Sequence, residues 1–314
     1  MNLRIIIPAL AFMLLTAHFN ATAQQVGASP EYIKTLTSQW EGDRFPDGRP
    51  HVPDNLLIRL KKVSMEEVWG ILRSHNYHNQ YQGDWIIINP DDPVMTGRVV
   101  TAQYMPLRPD LSDAVRKQGL SENRSPQGGT NSWPIDVLIP GDVYVADSYA
   151  KIVDGTLIGD NLATAIYRNS QNGVIFYGSV RDMQGIREVK GFNGWILGHD
   201  PSYLTETILT SINTPVRIGR ATVLPGDVVL ANEFGTIFIP AHLIEDVVIR
   251  SEFIMLRDEF GKLRLREGKY LPGEIDSRWT EAIREDFQNW LNNYPGVLPM
   301  SKDELDDFLK NRTW

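Results

Sequence analysis

The chain has 314 residues, 42% of them hydrophobic and 22% charged, a composition that excludes disordered and fibrous classes. Its net charge of −8 argues against a nucleic-acid partner, which usually meets a basic face. No cysteine is present, so disulfides, thiolate nucleophiles, zinc–thiolate sites and a lipidated cysteine are excluded, and stability must come from a packed core.

The first residues read as an export signal. Arg4 supplies a positive charge, Ile5 to Ala17 is almost wholly apolar, and Ala21-Thr22-Ala23 gives a small-x-small cleavage pattern. The apolar run is too short for a comfortable membrane span. A signal peptide over 1–23 predicts a periplasmic or secreted protein with no membrane contact after cleavage. An extension follows over 24–53, helical from Glu31 to Trp40 and closed by the turn chemistry of Phe45 to Pro50. Helices are predicted over Asp54–Lys61 and Ser64–Ser74. Ser64 and Glu67 form a capping box for the second.

Strands are predicted at Trp85–Ile88 and Arg98–Tyr104, the second rich in β-branched residues and ended by Pro106 and Pro109. Asp110–Gly119 reads as a helix and 121–134 as a loop. The strand Asp142–Asp147 follows the turn Pro140-Gly141. Asn161–Ser170 is helical in pattern, and Gly173–Gly178 is a buried strand bounded by glycines. Short strands fit Trp195–Leu197, Val216–Ile218, Val228–Ala231 and Thr236–Ile239, before a helix over Ala241–Arg257. Strands interleaved with helices predict an α/β fold. The many short strands between Pro-Gly turns favour a compact two-sheet arrangement over a regular doubly wound sheet. Beyond 270 the chain is helical, with aromatic residues at helical spacing in Ser277–Asn293 and a second capping box at Ser301 and Glu304.

Two short segments carry candidate chemistry. Gly159-Asp160-Asn161-Leu162 opens a predicted helix, where free N–H groups favour an anion and a glycine lets a ligand come close. The alternative is that Asp160 simply caps the helix. Arg181-Asp182 leaves the carboxyl end of a buried strand, where α/β proteins commonly bind ligands. Arg suits bidentate capture of a carboxylate, and Asp offers a hard oxygen to Mg²⁺ or Mn²⁺. The alternatives are a structural Arg–Asp pair, or Asp182 capping a helix over Met183–Glu188.

Together these segments spell Asp-x20-Arg-Asp-x2-Gly, from Asp160 through Arg181-Asp182 to Gly185. With Gly97–Ala102, Pro140–Asp147, and Pro225–Asn232 with Gly235 and Pro240, the chain resembles the family named for regulator of ribonuclease activity A. That family includes 4-hydroxy-4-methyl-2-oxoglutarate/4-carboxy-4-hydroxy-2-oxoadipate aldolases and related oxaloacetate decarboxylases. The resemblance covers 54–270, with a helical extension over 271–314. It implies a swivelling, phosphohistidine-like α/β/α core with short mixed sheets, assembled as a homotrimer or a dimer of trimers. It implies a divalent-metal-dependent lyase cleaving a 2-keto acid to pyruvate or a related product. Asp182 would hold Mg²⁺ or Mn²⁺, and Arg181 would bind substrate oxygens. Asp160 would hold a water for proton transfer, and Gly159, Asn161 and Leu162 would receive the substrate carboxylate. Asp258 or Glu259 of a neighbouring subunit would complete the site. A non-catalytic exported binder or scaffold of the same fold is the alternative. The chain departs from the family's pattern at Asn161, where an apolar residue is usual, and in its leader, the 121–134 stretch and the tail.

Other candidates rank lower. His199-Asp200 reads as a turn, His75 and His78 lack a third metal ligand, and Glu233 falls at a surface turn. No Walker loop, Rossmann fingerprint or HExxH motif occurs.

Overall fold

A computed structural model describes residues 25–91 and 93–311. The leader over 1–23 lies outside the described residues. The strands are β1 (Tyr81–Gln82), β2 (Ile86–Ile87), β3 (Met95–Pro106), β4 (Asp142–Asp147), β5 (Val174–Val180), β6 (Gly194–His199), β7 (Thr207–Ile212), β8 (Val216–Ile218), β9 (Ala221–Val223), β10 (Val228–Asn232) and β11 (Gly235–Ile239). Nine of them form one sheet in the order β1-β11-β10-β3-β4-β5-β6-β2, with β7 also on β3, while β8 and β9 form a separate hairpin. The fold is mixed α/β, as predicted. The compact two-sheet arrangement is corrected to one large sheet plus that small hairpin.

The reason lies in β3. It runs twelve residues, longer than the predicted Arg98–Tyr104. Its first half pairs antiparallel with β10 and its second half antiparallel with β7, while its other edge pairs parallel with β4 from Arg98 to Gln103. One long strand thus joins what look in the sequence like separate short-strand units. β4, β5 and β6 continue the parallel part.

Alternation along the strands divides the core between the two faces of the sheet. Val100, Tyr104, Tyr144 and Phe176 pack with Trp133 and Ile166 of the connecting helices. Val99, Val143, Val145, Ile175 and Trp195 face the β8–β9 hairpin. A further cluster packs the helices Asp54–Leu60, Met65–Ser74 and Ile244–Arg266 on β10 and β11. The tail helices Glu281–Asn292 and Lys302–Asn311 join the long helix through Phe253, Phe260, Phe287 and Phe308. Arg59 ties the tail down, pairing with Glu252 at 2.6 Å and Glu304 at 2.8 Å.

The box at Ser301 forms in full, its hydroxyl accepting from Glu304 N–H and its own N–H donating to the Glu304 carboxylate, whereas at Ser64 only the first half forms: the hydroxyl accepts from Glu67 N–H and donates to the Glu67 carboxylate. Several expected boundaries move. The first helix stops at Leu36, and the chain then turns so that the Trp40 indole N–H donates to the Asp43 carbonyl. The expected helix over 241–257 is a 3₁₀ turn, Ala241–Leu243, followed by Ile244–Arg266. The expected loop over 121–134 contains a 3₁₀ turn at Thr130–Ser132 and the start of the helix Trp133–Asp136. Among the described residues, no helix is long and apolar enough to cross a membrane.

Candidate functional site

β5 delivers Arg181 and Asp182 at its carboxyl end. The segment Thr156–Ile158 runs beside that end as a short parallel addition. Thr156 bridges Ser179, Leu157 N–H donates to the Ser179 carbonyl at 2.9 Å, and Arg181 N–H donates to the Ile158 carbonyl at 2.9 Å. Asn131 fastens the segment from outside by donating to the Leu157 carbonyl at 2.7 Å. These backbone bonds place Gly159 and Asp160 against Arg181 and Asp182, although about twenty residues separate them in sequence.

Two glycines set how closely the segments meet. A Cβ at Gly159 would collide with Asp182 Oδ2 and lie 3.3 Å from Arg181 Cζ. A Cβ at Gly185 would lie 2.6 Å from Asp160 Oδ2. The absence of both side chains lets the two carboxylates and the guanidinium share one corner.

The helix-capping alternative is corrected for Asp160, and for Asp182 it holds in position but not in side-chain bonding. Gly159, not Asp160, is the N-cap of the helix Asp160–Ser170, and Asp160 Oδ1 accepts from the adjacent Asn161 N–H at 2.8 Å. Asp182 is the N-cap of the helix Met183–Arg187, but in left-handed backbone (φ 55°), and its side chain makes no capping bond. Its Oδ2 instead accepts from Arg181 Nη1 at 2.7 Å, with both side chains more than a third exposed. The Arg–Asp pair is therefore real, and solvent-facing. The Asn161 N–H, expected to take a substrate carboxylate, is engaged by Asp160. The expected anion contact here thus falls to the N–H of Leu162, a half-buried residue.

Sequence reasoning missed Tyr203. Its ring, 66% exposed, stands 5.1 Å from Arg181 Cζ and flanks the guanidinium. No local signal marks it, because it comes from the loop after β6. The turn expected at His199-Asp200 is corrected in part: His199 ends β6 in register with Val180, Asp200 N–H donates to the Val180 carbonyl, and only then does the chain turn, with the Asp200 carboxylate accepting from Ser202 N–H. His75 pairs with Asp246. Glu233 is exposed at the β10–β11 turn. Asp258 and Glu259 are exposed on the long helix, where Glu259 accepts from the Tyr294 hydroxyl at 2.8 Å; no contact within one chain brings either to Asp182.

Among the described residues, no group of three or more His, Cys, Asp or Glu gathers to hold a metal. Asp160 and Asp182 together supply at most two carboxylates. That donor set fits Mg²⁺ or Mn²⁺, which commonly take one or two carboxylates and complete their shell with water and substrate oxygens. It does not fit a cation caged wholly by protein.

Residues 65–238 match the model of the RraA-like family, described as Aldolase/RraA. The chain is 29% identical over 161 residues to Protein DlpA of Legionella pneumophila, covering 50% of this chain and 24% of that protein. It is 31% identical over 109 residues to a putative 4-hydroxy-4-methyl-2-oxoglutarate aldolase of Stutzerimonas stutzeri, covering 35% of this chain and 66% of that protein. A 4-hydroxy-4-methyl-2-oxoglutarate aldolase of Thermus thermophilus is 31% identical over 84 residues, 27% of this chain and 51% of that protein. Among solved structures, Streptomyces coelicolor RraAS2, an unusual member of the RNase ES inhibitor RraA protein family, aligns with a TM-score of 0.58 at 25% identity, covering 68% of this chain and all of that one. The chain thus spans between a quarter and two thirds of these curated relatives.

Proposed function

The chain belongs to the RraA-like family, and from that premise we propose that the corner formed by Asp160, Arg181 and Asp182 is the active site of a carbon–carbon lyase acting on a 2-keto acid. The meeting of Gly159-Asp160 with Arg181-Asp182, fixed by the 2.9 Å bond from Arg181 N–H to the Ile158 carbonyl, carries this reading. It is supported by the aldolases among the relatives.

Each residue has a defined task. Arg181 Nη1 is tied to Asp182, and the remaining guanidinium donors point to the keto-acid oxygens. The substrate hydroxyl loses its proton, the carbon–carbon bond breaks, and its electron pair moves onto the 2-keto oxygen as the enolate of pyruvate. Arg181 stabilises that developing charge. Asp160, with Oδ1 braced by Asn161 N–H, holds a water that accepts the hydroxyl proton and returns it to the enolate carbon. Mg²⁺ or Mn²⁺ held at Asp182 would supply Lewis-acid polarisation of the keto-acid oxygens. The solvent-exposed pairing of Asp182 with Arg181 is cheap to exchange, so the carboxylate can serve this second purpose.

The swivelling α/β/α classification, export through the leader and assembly as a homotrimer with Asp258 or Glu259 from a neighbour belong to the same proposal. The test is to incubate the mature chain with Mg²⁺ and a panel of 2-keto acids, oxaloacetate included, and measure pyruvate. Turnover lost on chelation and in Asp182→Ala is expected. Activity indifferent to both would reject the metal role, and no turnover on any keto-acid would favour a non-catalytic binder.

A further inference from the structure

The sequence contains Pro-Gly-Asp-Val twice, at 140–143 and 225–228. The two turns are built alike. Gly141 and Gly226 have φ 86° and 87°. Each aspartate closes its turn on the N–H three residues earlier: Ile139 donates to Asp142 at 3.0 Å, and Leu224 donates to Asp227 at 2.8 Å. They flank the same strand, since Arg98 N–H donates to the Gly141 carbonyl and Val99 N–H to the Asp227 carbonyl. Both side chains are buried, 0% and 3% exposed.

Their partners differ. Asp142 receives both terminal nitrogens of Arg49, at 2.9 and 3.1 Å, and Arg49 is itself buried. Among the described residues, no lysine, arginine or histidine lies within ion-pair distance of Asp227. Asp227 instead borders a cavity of about 280 Å³, whose other walls include Trp40, Tyr77, Gln80, Thr222 and His242.

Several other polar groups of that cavity are already committed. Gln80 Nε2 donates to the Thr222 and Phe238 carbonyls, and the Trp40 indole N–H donates to Asp43. Burial and the neighbouring His75 hold the His242 pKa below its usual value, which disfavours its charged form. A second hollow shares Gln39, Trp40, Ala241 and His242 with the first and carries Glu41, Glu245 and Glu304. Its one arginine, Arg59, pairs with Glu304 and Glu252, which among the described residues leaves Glu41 and Glu245 without an ion pair. The surroundings of the cavity are therefore acidic and favour a cation.

We propose that this cavity binds a small organic cation, a primary ammonium on a short apolar body, whose charge sits against Asp227 as the Arg49 guanidinium sits against Asp142. A buried carboxylate is tolerated when paired and costly when alone. Trp40 and Tyr77 supply the aromatic surface that ammonium groups favour. The volume equals roughly nine water molecules, which suits a compact amine. The cavity lies at the opposite end of the parallel strands from Asp182: Asp142 begins β4, whereas Asp182 follows the end of β5. Binding there is independent of the proposed lyase reaction.

The experiment is calorimetric titration of the full mature chain with butylammonium and phenethylammonium, with butanol and butyrate as controls. Saturable binding of the ammonium ions, weakened roughly tenfold or more in Asp227→Asn, is expected, together with a rise in Tm in the wild type that Asp227→Asn lacks. Asn keeps an acceptor for Leu224 N–H. Trp40→Leu, which leaves the carboxylate in place, should also weaken ammonium binding. No ammonium binding at millimolar concentration, butanol binding as well as butylammonium, or affinity unchanged in Asp227→Asn would overturn the site.

Discussion

The two ends of the parallel strands handle acidic residues in opposite ways. At the amino end, Asp142 is fully buried and held by Arg49, also buried. At the carboxyl end, Asp182 is paired with Arg181, but the two are 38% and 35% exposed. A pair sealed from water is costly to break because the surviving charge has no solvent to turn to. A pair in water contributes at most about 1 kcal/mol and can be exchanged. The same Arg–Asp chemistry therefore fixes a turn at one end and remains open to a ligand at the other.

Arg49→Met tests this contrast most severely. It leaves Asp142 buried without its cation, and urea denaturation should show a loss of about 3–5 kcal/mol. Asp182→Ala is the counterpart at the open end. Stability should fall by only about 1–2 kcal/mol, the cost of alanine in left-handed backbone, while pyruvate release falls roughly 10²–10³-fold. A large stability loss in Asp182→Ala would erase the distinction between the ends.

Asp227 sharpens the comparison through pH. Burial pushes its carboxyl up to about 7 from an ordinary 3.8. The folded state therefore binds the extra proton between those values, so the wild type loses the corresponding stability as pH rises from about 4 to 7. Asp227→Asn cannot ionise. Relative to wild type it should gain roughly 2–4 kcal/mol at pH 8 and almost nothing below about pH 4, read from melting curves across that range.

Gly185→Ala disturbs the packing of the two segments at the open end. The added methyl would lie 2.6 Å from Asp160 Oδ2 and 2.8 Å from Asp160 Cβ, so the backbone at Asp160 must give way as well as its carboxylate. Activity should fall by about tenfold, and stability, read from Tm, should fall with it by the cost of overpacking, about 1 kcal/mol or more. The smallest effect is expected of Glu304→Gln. Arg59 keeps Glu252, so the tail should lose under about 1 kcal/mol in urea denaturation.

Sequence alone determined what neighbouring residues decide among themselves. Ser64 with Glu67, and Ser301 with Glu304, announced two helix starts because a cap involves only four consecutive residues. The β-branched and glycine-bounded runs announced β3, β4 and β5. The order Asp160, Arg181, Asp182, Gly185 named the candidate site and its family before any coordinates did. Tertiary structure decided everything that depends on which distant segments meet. Neither β7, which shares an edge of β3 with β10, nor the merger of short-strand units into one sheet could be read locally, because pairing partners lie about a hundred residues away. Tyr203 reached Arg181 only through the turn after β6. The two Pro-Gly-Asp-Val turns are identical as text; only packing gave Arg49 to Asp142 and a cavity to Asp227, since burial and charge pairing belong to the assembled fold and not to the four residues themselves.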